Sequence, residues 1–318
     1  MNRQGTQNLL SVSVDLDGLR HYLSIHALDG PHSDAADPVY TVALPRFVAL
    51  FAELGVRATF FAIGDALMAP EAAAALRAAR DAGHEIANHT YAHRYDLVRL
   101  QRDEIEQEIA RGHAVIEAAC GSAPVGFRAP GYNIDERVLA ACRAQGYRYD
   151  SSVFPSIPYY GAKAAVMAAL RLRGRPSGAT LGDPAVLRAP TSPYIPDPAC
   201  WWRRSPPGAS APLLELPITL VPGIRWPFIG TWICLSPARV FDAAWAAVRA
   251  TTPFVNLELH GIELMDLVDD ALPQALSRQP DLRVPLRKKR PRLRHAIAEI
   301  ARAREPVTLA EAAQRIVG

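Results

Sequence analysis

Between residues 9 and 152 the chain repeats one pattern, a short apolar run followed by a stretch with helical spacing, and this rhythm excludes most folds at once. The runs at 9–18, 58–64, 84–88, 125–130 and 147–152 read as strands. Between them, 42–54 places Leu44, Phe47, Val48, Phe51 and Leu54 on one helical face and stops at Gly55. Further helices are expected at 70–82, closed by Gly83, at 101–120, and at 135–144, capped by Asp135 and ended by Gly146. Strand, helix, strand, helix is the order of a parallel sheet joined by right-handed crossovers. The segment 21–39, rich in His, Asp, Gly and Pro, reads as a loop in which His21 and His26 could line a site mouth, although lone loop histidines are usually exposed.

The rhythm breaks at about 154–212, a proline-, glycine- and arginine-rich insertion carrying Tyr159, Tyr160, Tyr194, Trp201 and Trp202. Long irregular segments of this kind shape access to a site, and this one is expected to cover part of it. Strand character returns at 213–218, a helix follows at 237–250, a last strand at 254–261, and helical segments at 292–303 and 309–316 close the chain. The expectation is one α/β domain over 1–318, with its polar clusters on one rim, at the C-terminal ends of the strands.

A length of 318 residues, 49% of them hydrophobic, suits one large domain or two small ones. A net charge of +3 is too small to argue for a nucleic-acid partner. The dense basic run at 287–295 reads as a solvated loop and helix start. No stretch reaches the roughly 18 apolar residues of a membrane span, and residues 1–8 lack an apolar segment of signal-peptide length. Cys120, Cys142, Cys200 and Cys234 show no CxxC spacing and read as free thiols. The expected compartment is the cytoplasm.

Two polar groupings stand out. In 9–18, Leu10, Val12 and Val14 alternate with Ser11, Ser13 and Asp15, so Asp15 and Asp17 leave the strand end on the same side. In a dry site the two carboxylates would repel, unless a cation joins one and frees the other to act as a base. His89 and His93, four residues apart, would share one face of a helical turn and suit a borderline transition metal. Each grouping alone also has an ordinary reading, a solvated Asp-Gly turn or two polar residues at a helix start. His260, alone on an apolar strand, would read as a core histidine.

Taken together, Ser13-Val14-Asp15-Leu16-Asp17, His89-Thr90-Tyr91-Ala92-His93, Phe127-Arg128-Ala129-Pro130-Gly131-Tyr132, Tyr149-Asp150-Ser151 and Leu257-Glu258-Leu259-His260 resemble the five ordered motifs of the polysaccharide deacetylases, the NodB-homology family. The resemblance spans about 11–260. It implies a distorted (β/α) barrel of about seven parallel strands that hydrolyses acetyl groups on carbohydrates with one divalent metal.

Residue by residue, the resemblance implies Asp17, His89 and His93 as metal ligands, most simply for Zn2+, with Co2+, Ni2+ or Fe2+ as alternatives. It implies Asp15 as base, Arg128 as the group orienting it, His260 as the acid protonating the departing amine, and Asp150 as the carboxylate supporting that acid. The oxyanion donor would be the backbone N–H of Gly131, with the motif's aromatic residue one place late, as Tyr132. Leu16 separates the two acids, as in a subgroup resembling intracellular-type peptidoglycan deacetylases and cyclic-imide or allantoin hydrolases.

Tyr132, Trp226 and Trp232 offer flat surfaces for a sugar. The implied substrate is an acetamido sugar or glycoconjugate, with lipid- and nucleotide-linked forms among the expectations. A related C–N hydrolase, such as a deformylase or cyclic amide hydrolase, and an inactive carbohydrate-binding protein on the same scaffold are the competing expectations.

Overall fold

In the computed structural model of the chain, residues 8–28, 36–174, 177–206, 208 and 213–317 are described. Strand β1 (Leu9–Asp15) is central, buried along its whole length. On one side it pairs with β2 (Ala58–Ala62), and the sheet continues through β3 (Glu85–Asn88), β4 (Gly126–Phe127), β5 (Tyr149–Asp150) and β6 (Leu214–Glu215). On its other side lies β9 (Phe254–His260), paired in parallel along all seven positions. These seven parallel strands make a partial barrel, and a short β10 (Glu305–Pro306) adds to the start of β1. An antiparallel hairpin, β7 (Leu220–Val221) with β8 (Trp226–Pro227), stands outside it.

Strand parity divides the interior from the outer layer. Leu10, Val12 and Val14 belong to the main apolar core, where they pack with Phe47, Phe51 and Phe60 beneath the helices. That core includes residues of α2 (Leu44–Leu54), α3 (Pro70–Asp81), α4 (Arg102–Cys120), α8 (Ala238–Thr251) and α9 (Leu286–Ala303). The alternate residues are polar. Ser13 hydroxyl donates to Asn256 Oδ1 at 3.3 Å, and Arg128 reaches Ser13 at 3.0 Å and Ser151 at 2.8 Å. Ser13, Arg128, Ser151 and Asn256 satisfy one another in this polar interior, whereas the buried Ser11 hydroxyl has no hydrogen-bond partner among the described residues.

Between β6 and β9 the segment 216–219 supplies the closure. Thr219 N–H donates to Asn256 carbonyl at 3.1 Å, Asn256 N–H to the Thr219 hydroxyl at 2.8 Å, and the Asn256 amide to Leu216 carbonyl at 3.0 Å.

Several sequence expectations are corrected here. Residues 21–25 are not loop but part of α1 (Leu19–Ile25), and His21 is buried. His26, half-exposed, ends that helix; residues 29–35 of the expected loop lie outside the described residues. The insertion is not irregular throughout, for it carries a 16-residue helix, α6 (Ile157–Leu172), started by the Ser156 hydroxyl accepting from Tyr159 N–H. Trp201 is only 2% exposed and is part of a core cluster with Phe127 and Tyr147.

The basic run is not solvated loop. It lies on α9, which begins at Leu286 and contains Pro291, and Lys289 is fully buried, donating to the carbonyls of Ile262 and Met265. Helices α5 (Glu136–Ala144), with its Asp135 cap, and α10 (Leu309–Val317) fall where the spacing placed them, while α7 (Gly230–Leu235) was not anticipated. Among the described residues no helix is long and apolar enough to cross a membrane. Cys120, Cys142 and Cys234 are buried and unpaired, and Cys200 is a half-buried free thiol.

Candidate metal and proton-transfer site

Asp17, His89 and His93 bring three ligand atoms together at the C-terminal rim. Asp17 Oδ1 lies 3.0 Å from His93 Nε2 and 3.3 Å from His89 Nε2. Zinc bonds of 2.0–2.1 Å in a tetrahedron set ligand atoms about 3.3 Å apart, so the donor set fits one small divalent cation. The buried atoms Asp17 Oδ1 and His93 Nε2 have no hydrogen-bond partner within the protein, which a cation would remedy. His89 Nδ1 sits 2.7 Å from the Arg128 carbonyl, which fixes the ring with Nε2 toward Asp17. Although burial pushes the Asp17 carboxyl up, the two imidazoles hold it well below the usual carboxylate range.

The histidines are not on a helical turn. His89 follows β3, and the loop to His93 folds back through Thr90 at φ 67° and His93 at φ 53°. A left-handed β-branched residue is costly and persists only where its surroundings enforce it. Here Gly64 N–H donates to Thr90 carbonyl, Asp65 N–H to Tyr91 carbonyl, and Tyr91 N–H to Glu108 carbonyl, while His93 N–H donates to the Thr90 hydroxyl. Helix α4 presses against the loop at Gly112, where a Cβ would stand 2.6 Å from Asn88 Oδ1 and 2.7 Å from the Thr90 carbonyl carbon.

Beside this corner lies a second cluster, Asp15, Glu258 and His260. Pairing of β1 with β9 aligns Ser11 with Asn256, Ser13 with Glu258 and Asp15 with His260, so the last two are neighbours across the sheet. Asp15 Oδ1 accepts from Arg128 at 2.6 Å, and its Oδ2 lies 3.9 Å from His89 Nε2. Burial raises the Asp15 carboxyl, and Arg128 and His89 only partly offset it. Arg128 is completely buried, 4.1 Å above the Phe61 ring, and also donates to the Ser151 carbonyl at 2.8 Å. Such bonding leaves the guanidinium little freedom to turn away from Asp15.

His260 takes its carboxylate partners locally. Its Nδ1 is 3.0 Å from Glu258 Oε1, two residues back on the same strand face, and 3.7 Å from Glu263 Oε1 in the following turn. Burial opposes charge on the ring, but these carboxylates outweigh it and hold the imidazole well above its ordinary value. Tyr132 hydroxyl donates to Glu258 at 3.1 Å and lies 3.4 Å from His260 Nε2. Thr231 hydroxyl donates to Glu263, whose carboxyl burial pushes up to about 7.

Asp150, expected to support the polar network around His260, has no described hydrogen bond or ion pair with His260 itself. It accepts from the Ser152 hydroxyl at 2.6 Å and is paired in the sheet with Glu215, at the interior end of β5. Burial raises both carboxyls, Glu215 the more strongly.

Gly131 and Tyr132, at φ 59° and 62°, form a left-handed turn that lifts the Tyr132 ring over the acid. A Cβ at Gly131 would meet Tyr95 Cδ1 at 2.9 Å. Trp232 is half-buried, with its ring 6.1 Å from Phe228, and Trp226, 41% exposed, stands on the outer hairpin; neither lines the cavity beside Gly131 and Tyr132.

Sequence reasoning missed Glu258 and Glu263, and considered His21 only as a loop residue that could line a site mouth. Glu258 could have been found by the parity that paired Asp15 with Asp17. The His21 ring lies 4.3 Å from His93, and burial followed by the charge of His93 pushes it well below its ordinary value. No sequence signal short of the helix itself marks it.

Residues 29–149 match the family model described as polysaccharide deacetylase. A peptidoglycan deacetylase of Helicobacter pylori is 25% identical over 156 residues, 48% of this chain and 52% of that protein. A chitooligosaccharide deacetylase of Sinorhizobium fredii is 37% identical over 98 residues, 30% of this chain and 43% of that protein. The chain thus spans about half or less of these relatives' length. The fold matches a crystal structure of a provisionally named polysaccharide deacetylase from Mycobacterium smegmatis, with a TM-score of 0.61, 18% identity, and coverage of 100% of this chain and 92% of that one.

Proposed function

We propose, from the match of residues 29–149 to the polysaccharide deacetylase model, that the chain is a member of that family and a metal-dependent hydrolase removing an N-acetyl group from a carbohydrate or glycoconjugate. The observation that carries the reading is the meeting of two clusters on one rim, Asp17, His89 and His93 beside Asp15 and His260. A divalent cation held by the first three, zinc before cobalt, nickel or iron, would supply Lewis acidity toward water and the acetyl oxygen.

In this reading Asp15 takes the proton of the attacking water. Its site keeps one oxygen on Arg128 and the other toward the histidines, as a base needs. The Gly131 N–H is assigned to the developing oxyanion. His260, kept charged by Glu258 and Glu263, delivers a proton to the leaving amine, without which the C–N bond breaks slowly. Arg128 positions the base and takes no proton itself. Tyr132 adjoins the acid and is assigned to the sugar, with Trp232 and the exposed Trp226 as outlying surfaces.

The acceptor is read as an acetamido sugar, the class named for both relatives, with lipid or nucleotide linkage open to assay. Unpaired, buried cysteines fit a reducing compartment, and a cytoplasmic setting is proposed on that ground.

The test is acetate release from N-acetylated sugars, beside formate release and ring opening, by the chelated and the zinc-reloaded protein. Acetate release restored by metal, and lowered at least about 100-fold in Asp15→Asn with metal content unchanged, is expected. Full activity of Asp15→Asn would end the assignment. Formate release or ring opening without acetate would move the chain to a related C–N hydrolase.

A further inference from the structure

Next to the Gly131–Tyr132 turn lies a small, partly open cavity of about 30 Å3, lined among others by Phe154, Tyr159, Tyr160 and Trp201. It has room for a small polar group but not for a whole sugar ring. It adjoins the proton-donating corner, because the Tyr132 ring lines it while the Tyr132 hydroxyl touches Glu258 and His260. The Tyr160 hydroxyl is spent on the Gly182 carbonyl at 2.9 Å. What these walls offer a ligand is mostly ring.

Into this aromatic space α6 sends Lys163, half-buried, with one described hydrogen bond, from Nζ to the Gly131 carbonyl at 3.1 Å. An ammonium has three donors. Among the described residues no carboxylate lies within ion-pair distance of it. Asp183, at the edge of the same cavity, is committed to capping a turn, accepting from Ala185 N–H at 2.8 Å. A half-buried cation without a counter-ion has lost part of its hydration, and an anion that arrives with a ligand makes up for it.

Building on the deacetylase reading, we infer that this cavity is a subsite for an anionic group carried on a carbohydrate, a carboxylate or a phosphate ester, which enters to meet Lys163 while its sugar ring stays at the mouth, against the half-buried Tyr159 and Tyr160. A free inorganic anion would leave the rings unused, and a neutral sugar would leave the ammonium unmatched. Burial pushes the Lys163 ammonium down to about 8. The other groups facing it, Tyr132, Tyr159 and Tyr160, are pushed up and stay neutral in that range. The anion preference is therefore present below about pH 8 and fades as pH rises through it.

The experiment is calorimetric binding of N-acetylglucosamine, N-acetylmuramic acid and N-acetylglucosamine 1-phosphate to the wild-type protein, Lys163→Met and Lys163→Arg. Wild type is expected to bind at least one charged sugar about tenfold more tightly than the neutral one. Which charged sugar gains the advantage distinguishes carboxylate from phosphate. Lys163→Met should erase the difference and Lys163→Arg keep most of it.

Equal binding of the three sugars by wild type, or an undiminished preference in Lys163→Met, overturns the subsite. If Lys163→Met does not fold, the wild-type comparison and its loss above about pH 8 decide the matter. Failure of every sugar to bind would overturn the carbohydrate reading, and the subsite with it. Binding with the expected preference but no acetate release would remove the reaction and leave the subsite standing.

Discussion

The ligand corner is assembled from afar, with Asp17 just beyond one strand and two histidines on a loop held by Gly64, Glu108 and Gly112. The acid corner draws its carboxylates from nearby, since Glu258, His260 and Glu263 lie within six consecutive residues. Geometry enforced at a distance is vulnerable to substitutions that never touch a ligand atom. Geometry supplied locally responds to changes in its own charge.

Gly112→Ala should break the first corner most. In an open helix this change stabilises by about 0.5–1 kcal/mol, but here the new methyl group meets backbone of the ligand loop. Metal affinity is expected to fall by about 100-fold, as when groups that orient ligands are lost, and the melting temperature to fall with it. Metal titration with calorimetric melting checks this. A more stable variant with normal affinity would show that the loop does not depend on α4.

Glu258→Gln should act on the acid corner alone. In the proposed mechanism His260 works in its protonated form, and Glu258 helps hold its pKa well above the ordinary value, so removing that charge lowers the pKa. Activity would then be lost at a lower pH as alkali is added, with kcat down about tenfold at neutral pH and metal content unchanged. Glu263→Gln should move the same limb less, about twofold to threefold in rate, because its oxygen is 3.7 Å from the ring against 3.0 Å. As Glu263 is pushed up to about 7, it is already neutral well below that pH, and there the substitution should be silent. Parallel pH–rate profiles and metal analyses of the two variants measure the contrast.

The smallest effect is expected from Asp150→Asn, whose carboxyl serves Ser152 and the sheet position opposite Glu215. The alkaline limb should stay where it is. A shift as large as that of Glu258→Gln would mean that Asp150 acts on the acid after all.

Periodicity made much of this architecture legible. Alternation along 9–15 named both the apolar outer layer and the polar interior, and the same parity set Asp15 and Asp17 together. His89 and His93 were legible as a pair but not as a loop, because helical spacing and a left-handed fold-back give the same interval of four. The surroundings of Asp150 were not legible, because its motif fixes a strand position, whereas its partner depends on Glu215 arriving across the sheet from beyond an insertion. The helix inside that insertion was hidden by the prolines and glycines around it, although 157–172 holds a continuous helical stretch. His21 was read as a loop residue because nothing local shows that α1 turns it onto His93.

Full-length pairing of β1 with β9 puts Asp15 and His260 on adjacent strands, whose spacing of about 4.8 Å is set by main-chain hydrogen bonding. The separation of proton acceptor and proton donor is therefore inherited from the sheet and owes nothing to the loops above it. Descendants of this chain can exchange the aromatic wall, the α6 arm or the outer hairpin for others suited to new sugars without retuning the proton relay. Substrate choice and chemical competence can thus evolve on separate parts of the molecule.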